Sequence, residues 1–514
     1  MRPRSWIDPV GASTVSGVNA ELVHWLNQSG LSKKEFARRV QARAHAHGHV
    51  HVSTAASRVR GWLAGQQPAE AATADAVAEV LSEACGRPLT AEDLGFRHAG
   101  PHASPGPDLR LAVIPHCGEA LARHTRADLI RCAYDLRAEH VDIADGEALL
   151  EVAEHIALGR PATLPDPHAG KRIDRIHVAQ IAAAIEVFRR WDNEFGGGLR
   201  RKAVVGQLSD VAGLLGGPFH SEPVGRQLYS AVADLAQLAG WMSYDLQLHA
   251  TAQRYFLLGM HLAKDAGDRP QVARMLYCLA RQMIDLNHPR EALDLAQTGV
   301  YAIRRASTPK TMAMLQIIEA RAHACMGAPV ECQRALDQAQ ETFAQAGTDT
   351  DPAWCAFFGV GELYGLIGVA LRDLAIADAE HARIYAERAR PWIQRAIEHR
   401  PGHYVRSRVM DIDALAAVSA LLGDAEATAA ATTTAISMAG AVTSARVTTR
   451  LRRTAQLARQ RFPGSGAMNE LSERVRALPR GELPICKAGR HGVDGGLRAP
   501  LVYRSMAGRA DSGC

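Results

Sequence analysis

Lysine and arginine are concentrated in one short stretch of the chain. Residues 33–60 contain a single acid, Glu35, and seven basic residues: Lys33, Lys34, Arg38, Arg39, Arg43, Arg58 and Arg60. Their local charge of +6 exceeds the net charge of +5 for all 514 residues. Such side chains neutralise phosphate groups, and an arginine can also form two hydrogen bonds with the edge of a guanine base. This stretch is therefore the first candidate for a nucleic-acid contact.

Four histidines alternate along the same stretch, at positions 45, 47, 49 and 51. In an extended strand all four imidazoles would point to one side, as in a row that captures a metal ion. The run contains no cysteine or carboxylate partner. We predict a solvent-exposed loop rich in histidine and no metal site, with metal binding as the alternative.

A second candidate combines the glycines at 196–198 with the basic residues at 200–202. A glycine loop followed by positive charge suggests phosphate binding, but the spacing of a P-loop is missing and no hydrophobic strand precedes it. We predict a helix-breaking loop followed by a new helix. An anionic ligand or a partner for the three basic residues is the alternative.

Signals of catalysis are weak throughout the chain. It has no zinc-protease motif, no dinucleotide-binding fingerprint and no recognisable Ser/His/Asp arrangement. Asp411 and Asp413 lie in a helical pattern without a visible partner. The nine cysteines are scattered without a C-x-x-C pair, which is typical of reduced, buried thiols. We predict no catalytic residue and no cofactor.

Helical patterns surround and position the basic stretch. They cover residues 20–28, 33–40, 55–63, 72–84 and 90–94, with a loop between the second and the third. Ser32 and Glu35 form a predicted capping box for the second helix, and Ser53 or Thr54 is expected to cap the third. Gly65 is expected to end that third helix.

The third of these patterns has two distinct faces. Val59 and Trp62 recur at helical spacing and are predicted to face inward. Ser57, Arg58 and Arg60 lie on the opposite side of the helix. This helix is therefore predicted to present a basic face to solvent.

Composition divides the chain into five parts. We predict a disordered N-terminus at 1–19, a helical domain at 20–96, a Pro- and Gly-rich linker at 97–109, a helical array at 110–462 and a mostly disordered tail at 463–514. A short helix at 468–478 is predicted within the tail. Aromatic residues make up only 5% of the chain, which favours closely packed helices over sheet.

The long middle part shows an internal repeat. Residues 291–297 (EALDLAQ) recur as 334–340 (RALDQAQ), each at the predicted start of the second helix of a pair. Gly240, Ala252 and Ala263 are small enough to let helices approach closely, and Trp241 and Tyr255 are predicted to fill the core between repeats. This pattern resembles a divergent tetratricopeptide (TPR) repeat, which implies an α-solenoid of antiparallel helix pairs. A generic helical bundle is the alternative.

The N-terminal part resembles the helix-turn-helix domain of the lambda-repressor-like (XRE/Cro) class. Residues 31–37 (LSKKEFA) match the first helix of the motif, and residues 57–68 (SRVRGWLAGQQP) match the recognition helix with its Gly and Pro exit. In that motif the second helix enters the major groove and the first lies across the backbone. The implied base contacts are Ser57, Arg58 and Arg60, and the implied phosphate contacts are Lys33, Lys34 and Thr54. A solvated basic face is the alternative.

Both parts together resemble the large NsdA-type regulators of actinobacteria. Residues 188–208 (FRRWDNEFGGGLRRKAVVGQL) are similar to the central signature of that family, and the resemblance covers about residues 20–460. It implies a repressor of developmental and antibiotic-production genes. The implied partner of the N-terminal domain is double-stranded DNA.

These observations lead to one functional hypothesis and two rivals. We expect a cytoplasmic, nucleoid-associated regulator without a membrane partner, because no apolar run approaches the roughly 18 residues of a span and no signal peptide is recognisable. The array is expected to bind a peptide or protein partner in its concave surface and to form homodimers. One rival is an interaction scaffold whose helix-turn-helix domain does not bind DNA; the weaker rival is an enzyme.

Overall fold

The structure of the chain is a computed structural model. It describes residues 19–46, 54–64, 66, 68, 71–86, 89–96, 117–134, 143–162, 164, 173–198, 200–217, 219–305, 308–347 and 351–478. These residues form α-helices with short connections, and their one β pairing is an isolated bridge between Ile173 and Phe219. The predicted all-α class is confirmed. Residues 1–18, the whole predicted linker at 97–109 and residues 479–514 of the predicted tail lie outside the described residues.

Four helices and a short 3-10 turn make up the N-terminal module. They are α1 (Ala20–Gln28), α2 (Lys33–Ala46), α3 (Ala56–Leu63) and α4 (Ala71–Cys85), followed by the turn Glu92–Leu94. The bounds agree with the predicted patterns except at α2, which continues six residues beyond the predicted end at residue 40.

Sixteen further helices follow in the described part of the array. They are α5 (Cys117–Tyr134), α6 (Gly146–Leu158), α7 (Arg175–Phe195), α8 (Arg201–Ala212), α9 (Glu222–Asp245), α10 (His249–Ala266), α11 (Arg269–Asp285), α12 (Pro289–Ile303), α13 (Pro309–Cys325), α14 (Pro329–Ala344), α15 (Val360–Ala377), α16 (Ala382–His399), α17 (Val405–Leu421), α18 (Ala425–Ala439), α19 (Ala445–Arg461) and α20 (Gly466–Arg476). The last of these matches the short helix predicted at 468–478.

Helix boundaries in the array follow from local chemistry. Gly267 ends α10 in the left-handed conformation with φ +76°, which glycine adopts without a Cβ penalty. Asp268 then caps α11, because its side chain accepts a hydrogen bond from the backbone N–H of Gln271 at 3.1 Å. Proline begins α12, α13 and α14, where its missing N–H is not needed.

Successive helices form pairs, as the repeat predicted. From α9 onward each odd-numbered helix packs against the even-numbered helix that follows it. The two copies of the repeated segment, 291–297 and 334–340, lie on α12 and α14, each the second helix of its pair. A Cβ placed on Gly240 of α9 would come within 2.7 Å of the Phe256 ring on α10. Small residues therefore set the close helix spacing, and the predicted solenoid of paired helices is confirmed.

The array closes on itself. The first helices of consecutive pairs contact one another in the order α9, α11, α13, α15, α17 and α19. The last two also return to the beginning, since α17 contacts α7 and α19 contacts α9. Ser444, at the start of α19, donates a hydrogen bond to Asp245 of α9 at 2.9 Å, across 199 residues of sequence. The inner surface of the solenoid is therefore an enclosed space lined by the first helices.

The glycines at 196–198 belong to this closure. Gly196 ends α7 with φ +79°, and the backbone N–H of Thr443 donates to the Phe195 carbonyl at 3.0 Å. A Cβ on Gly197 would lie 2.7 Å from the carbonyl oxygen of Met242. The prediction of a helix-breaking loop followed by a new helix is confirmed. The glycines are required because backbone segments from three parts of the chain meet here.

The Gly197→Ala variant is expected to lose stability. The added methyl group collides with the backbone of α9, and overpacking of this kind costs about 1–3 kcal/mol. The matched control is Gly206→Ala in α8, where a Cβ meets nothing within 4 Å and alanine favours the helix by about 0.5–1 kcal/mol. Thermal melts of both full-length variants by circular dichroism check the prediction. Equal melting temperatures for the two would contradict the proposed closure.

Candidate functional site

The N-terminal module holds its helices around one small core. Leu22, Phe36, Val59 and Leu81 come from α1, α2, α3 and α4 in turn, and all four are fully buried. Asn19 joins the ends of the module: its Oδ1 caps α1 by accepting from Leu22 N–H at 3.0 Å, and its Nδ2 donates to the Leu94 carbonyl at 2.8 Å. The orientation of α3 is therefore set by packing on its inner side.

Helix α2 is longer than predicted, and this changes the histidine row. Helix α2 ends at Ala46, so His45 lies on a helix and does not belong to an extended run. Residues 47–53, which include the other three histidines and Ser53, lie outside the described residues. Within the described residues, no group of three or more His, Cys, Asp or Glu side chains is arranged to hold a metal ion.

The predicted capping box at the start of α2 is half formed. The backbone N–H of Glu35 donates to Ser32 Oγ at 3.2 Å. The Glu35 carboxylate instead accepts hydrogen bonds from Arg38 at 2.8 Å and from Arg39 at 2.9 Å. These bonds lower the pKa of Glu35 to about 2, so the carboxylate stays charged at neutral pH. Two of the seven basic residues are therefore partly neutralised on the helix surface.

Arg43 does not belong to the basic face. Its guanidinium forms ion pairs with Glu79, at 3.1 Å, and with Glu83, both on α4. These acids lie 36 and 40 residues further along the chain, outside the stretch whose charge was summed. Arg43 therefore fixes α2 to α4, and the local charge of +6 over residues 33–60 exceeds the charge of the exposed basic face.

Helix α3 presents the predicted polar side outward. Val59 and Trp62 are buried, whereas Ser57, Arg58 and Arg60 are exposed. The predicted cap is wrong, because Ala55 occupies the N-cap position and makes no side-chain hydrogen bond to the helix. The first N–H groups of α3 therefore lack a side-chain cap at the positive end of the helix dipole. Gly65, the predicted end of the helix, lies outside the described residues, and Ala64 is the C-cap.

The three residues predicted to bind phosphate separate into two groups. Lys33 and Lys34 are exposed in the first turn of α2. Thr54 is 6% exposed, and its backbone N–H donates to Gln41 Oε1 of α2 at 3.1 Å. Burial leaves Thr54 little surface for a phosphate, so its observed role is to fix the start of α3 against α2.

A shallow groove separates α2 from the start of α3. Lys34, Arg38 and His45 line it on the α2 side, and Thr54 and Ala56 line it on the other. The exposed residues Lys33 and Lys34 begin one helix, and Ser57 and Arg58 begin the other. Positive charge and two helix N-termini thus occur in one small module.

A second polar site lies inside the array, and the sequence analysis did not find it. A cavity with about 1000 Å³ of empty space, including the solvent at its mouth, lies between the first helices of the pairs. Eight arginines line it: Arg189, Arg274, Arg281, Arg321, Arg400, Arg406, Arg446 and Arg450. Three carboxylates, Asp192, Glu362 and Asp411, share this lining.

Buried ion pairs connect these arginines across the first helices. Asp234 of α9 pairs with Arg274 of α11 at 2.6 Å. Glu362 of α15 pairs with Arg281 of α11 at 3.3 Å and with Arg400, just before α17, at 2.6 Å. The network therefore follows the inner face from pair to pair.

Asp285 of α11 extends the same network towards the end of the array. It pairs with Arg450 of α19 at 3.2 Å and with Arg321 of α13 at 3.5 Å. Burial alone would raise the pKa of Asp285, but the charges of Arg450 and Arg321 hold that pKa well below its usual range. Asp285 therefore stays ionised inside the protein.

Two residues of the cavity wall have contacts that the sequence did not show. Trp241 packs against the core, as predicted, and it also lines the cavity. The guanidinium groups of Arg446 and Arg281 lie 4.9 and 5.3 Å from its ring centre. Asp411 lacked a visible partner in the sequence, yet Arg400 forms two hydrogen bonds with its carboxylate. Burial raises the pKa of Asp411 to about 6 despite the opposing charge of Arg400.

The described residues thus define an all-α protein that combines a small helical module with a closed array of helix pairs. Residues 22–97 match a family model described as the SP15 N-terminal domain. The matched stretch coincides with the helices of the N-terminal module, and this part of the chain is similar to that family. No curated protein and no solved structure matches the chain. In the ranges described above, no helix is long and apolar enough to cross a membrane.

Proposed function

We propose that the protein is a DNA-binding transcriptional regulator whose N-terminal module reads double-stranded DNA. The observation that carries the proposal is the outward face of α3, where Ser57, Arg58 and Arg60 are exposed above the buried pair Val59 and Trp62. Arginine on an exposed helix can bind a guanine edge with two hydrogen bonds in the major groove. The resemblance of residues 31–37 and 57–68 to a helix-turn-helix supports the same assignment.

In this proposal the two motif helices have different roles. Helix α3 enters the major groove, so Ser57, Arg58 and Arg60 face base edges. Helix α2 lies across the backbone, where Lys33 and Lys34 reach phosphates. Thr54 is left out of the interface because its side chain is buried. The uncapped start of α3 adds N–H groups that favour a phosphate.

The array is proposed to control the module through association with itself or with a peptide or protein partner. Val330, Ile376 and Ile384 are exposed by 74%, 54% and 54% of their surface. They lie beside neighbouring turns of the array, where Gly327 and Ala377 approach each other closely. Exposed apolar residues grouped on the outer surface of a solenoid are typical of an interaction surface. A homodimer formed there would place two modules on paired half-sites. The resemblance to NsdA-type regulators adds the proposed role, which is repression of developmental genes in the cytoplasm.

Salt dependence tests the phosphate contacts. Binding of full-length protein to a fluorescent DNA duplex is expected to weaken steeply with salt, because each phosphate contact releases counterions. The Lys33→Ala, Lys34→Ala double variant should lower the slope of log affinity against log salt by about two per module. Fluorescence anisotropy at four salt concentrations measures both slopes.

The control removes two charges elsewhere. Arg459 and Arg474 are exposed on α19 and α20, and their replacement by alanine leaves the module unchanged. This control should keep the wild-type slope. If the wild-type chain shows no binding to duplex DNA at low salt, the protein is an interaction scaffold and the proposed function is wrong.

A further inference from the structure

The cavity inside the array has room for a small molecule. The space open to the centre of a water-sized sphere is about 100 Å³, several times the roughly 10–15 Å³ that one water molecule needs. The space is enclosed because α17 and α19 return to contact α7 and α9. An extended peptide needs an open groove along the solenoid, whereas this closure leaves room for a compact molecule.

Two arginines in the cavity wall have hydrogen-bonding groups without partners in the described part of the chain. These are the Nη1 groups of Arg321 and Arg446, whose residues are only 4% and 5% exposed. The remaining nitrogens of Arg321 pair with Asp373 at 2.8 Å and Asp285 at 3.5 Å, and Arg446 approaches Asp245 only at 3.4 Å. A buried N–H group without an acceptor is costly, and more so when it is charged. Both groups therefore call for an acceptor that the described residues do not provide.

The charge of the cavity lining also favours an anion as the missing acceptor. Eight arginines and three carboxylates face the cavity. Five more carboxylates pair with these arginines from behind: Glu186, Asp234, Asp245, Asp285 and Asp373. The eight arginines are thus matched by eight carboxylates, and Asp373 is also shared with Arg372 outside the lining. The raised pKa of Asp411 removes part of one negative charge and leaves a slight positive excess near pH 6. An anion would balance this excess.

Part of the lining is apolar. Leu366 and Val369 of α15, Met410 of α17 and Phe357 all face the cavity. Phe357 ends the short 3-10 helix Ala353–Phe357 that precedes α15. A bare inorganic ion would leave this surface in contact with water. An anion with an attached apolar group would satisfy the arginines and cover the apolar side chains together.

We propose that the cavity binds a small organic anion, whose carboxylate or phosphate accepts hydrogen bonds from Arg321 and Arg446 and whose apolar part packs against Leu366, Val369 and Met410. The inference goes beyond the proposed function and does not depend on DNA binding. An anion in this place contacts α13, α15, α17 and α19 together and so stabilises the packing of these first helices.

The first test compares two dyes that have the same aromatic skeleton and differ in charge. The full-length chain is titrated with 1-anilinonaphthalene-8-sulfonate, an organic anion, and with the uncharged N-phenyl-1-naphthylamine. The anionic dye is expected to bind with one site per chain and at least about tenfold more tightly than the neutral dye. Citrate and pyrophosphate are then added as competitors, and the stronger one shows whether the site prefers carboxylate or phosphate. Equal affinity for the two dyes, or no competition by either anion, would overturn the proposal.

The second test places an anion in the cavity permanently. Ser407 of α17 lines the cavity and is half-buried. The Ser407→Glu variant adds a carboxylate beside the arginines, so it should weaken binding of the anionic dye at least about tenfold and raise the melting temperature. Ser407→Gln has nearly the same size without the charge, and it should keep dye affinity within about threefold of wild type. Unchanged dye binding in Ser407→Glu would contradict the assignment.

A third variant removes one of the two binding groups. Arg446→Gln should weaken the anionic dye, whereas the exposed Arg459→Gln on the same helix should not. If Arg446→Gln fails to fold, as judged by circular dichroism, the Ser407 pair decides the question, since that pair retains every arginine. None of these experiments uses DNA. A failure of anion binding can therefore be distinguished from a failure of the proposed DNA binding.

Discussion

Replacing Arg58 and Arg60 together by alanine is expected to abolish sequence-specific DNA binding while leaving the fold intact. Both side chains are exposed on α3, so their removal leaves the core of Val59 and Trp62 unchanged. Each bidentate contact of arginine with guanine contributes about 1–3 kcal/mol of discrimination, so the double variant should lose at least roughly 30-fold in specific affinity. Competition of a specific duplex against random-sequence DNA measures the loss.

The matched control for this variant is Arg459→Ala with Arg474→Ala. It removes the same charge from exposed positions of α19 and α20. Specific affinity should stay close to the wild-type value in the control. A double variant at Arg58 and Arg60 that retains the wild-type ratio of specific to random binding would show that α3 is not the recognition helix.

The second large effect concerns the closure of the array. Arg406 of α17 is 4% exposed and holds Asp192 of α7 in two hydrogen bonds of 2.8 Å, across 214 residues of sequence. It also approaches Asp245 of α9 at 3.4 Å. Arg406→Ala leaves the Asp192 carboxylate buried without this partner, which typically costs about 3–5 kcal/mol. We expect a large drop in melting temperature, measured by differential scanning calorimetry.

Replacing both residues of the ion pair distinguishes the cost of an unpaired buried charge from the cost of lost packing. Removing both members of a buried ion pair is much less harmful than removing one, because no unpaired charge remains. Arg406→Met combined with Asp192→Leu should therefore recover much of the stability lost in Arg406→Ala. If Arg406→Ala melts with the wild-type protein, the ion pair does not hold α17 to α7 and the array is not closed in the way described.

Local rules predicted the helix pairs well. The break at Gly267 and Asp268, and the prolines that begin α12 and α14, mark boundaries that depend only on neighbouring residues. The repeated segment at 291–297 and 334–340 identified the second helices for the same reason. Such signals depend on only a few neighbouring residues, so they can be recognised in the sequence.

The contacts of Arg43 and the length of α2 were not predictable in this way. Residues 41–46 (QARAHA) have little apolar periodicity, which suggested a loop. The helix continues because Ala44 is buried and Arg43 pairs with Glu79 and Glu83 of α4. Tertiary contacts outweigh local propensity here, and they depend on residues about 40 positions away.

The arginine-lined cavity could not be predicted from the sequence for a related reason. Helix α17 is buried on nearly every side, including its charged residues Arg406, Asp411 and Asp413. Its pattern therefore shows no polar face, and the charges look scattered among apolar residues. Their partners become visible only when the first helices of distant pairs are brought together.

The most direct test of DNA recognition by α3 is selection of bound sequences from a random DNA library by the purified full-length protein. Enrichment of a defined motif is expected, arranged as an inverted repeat if the protein is a dimer, and the motif should be lost with the variant in which Arg58 and Arg60 are alanine. A library that stays random after selection with the wild-type protein, or the same motif recovered with the variant, would contradict recognition by α3.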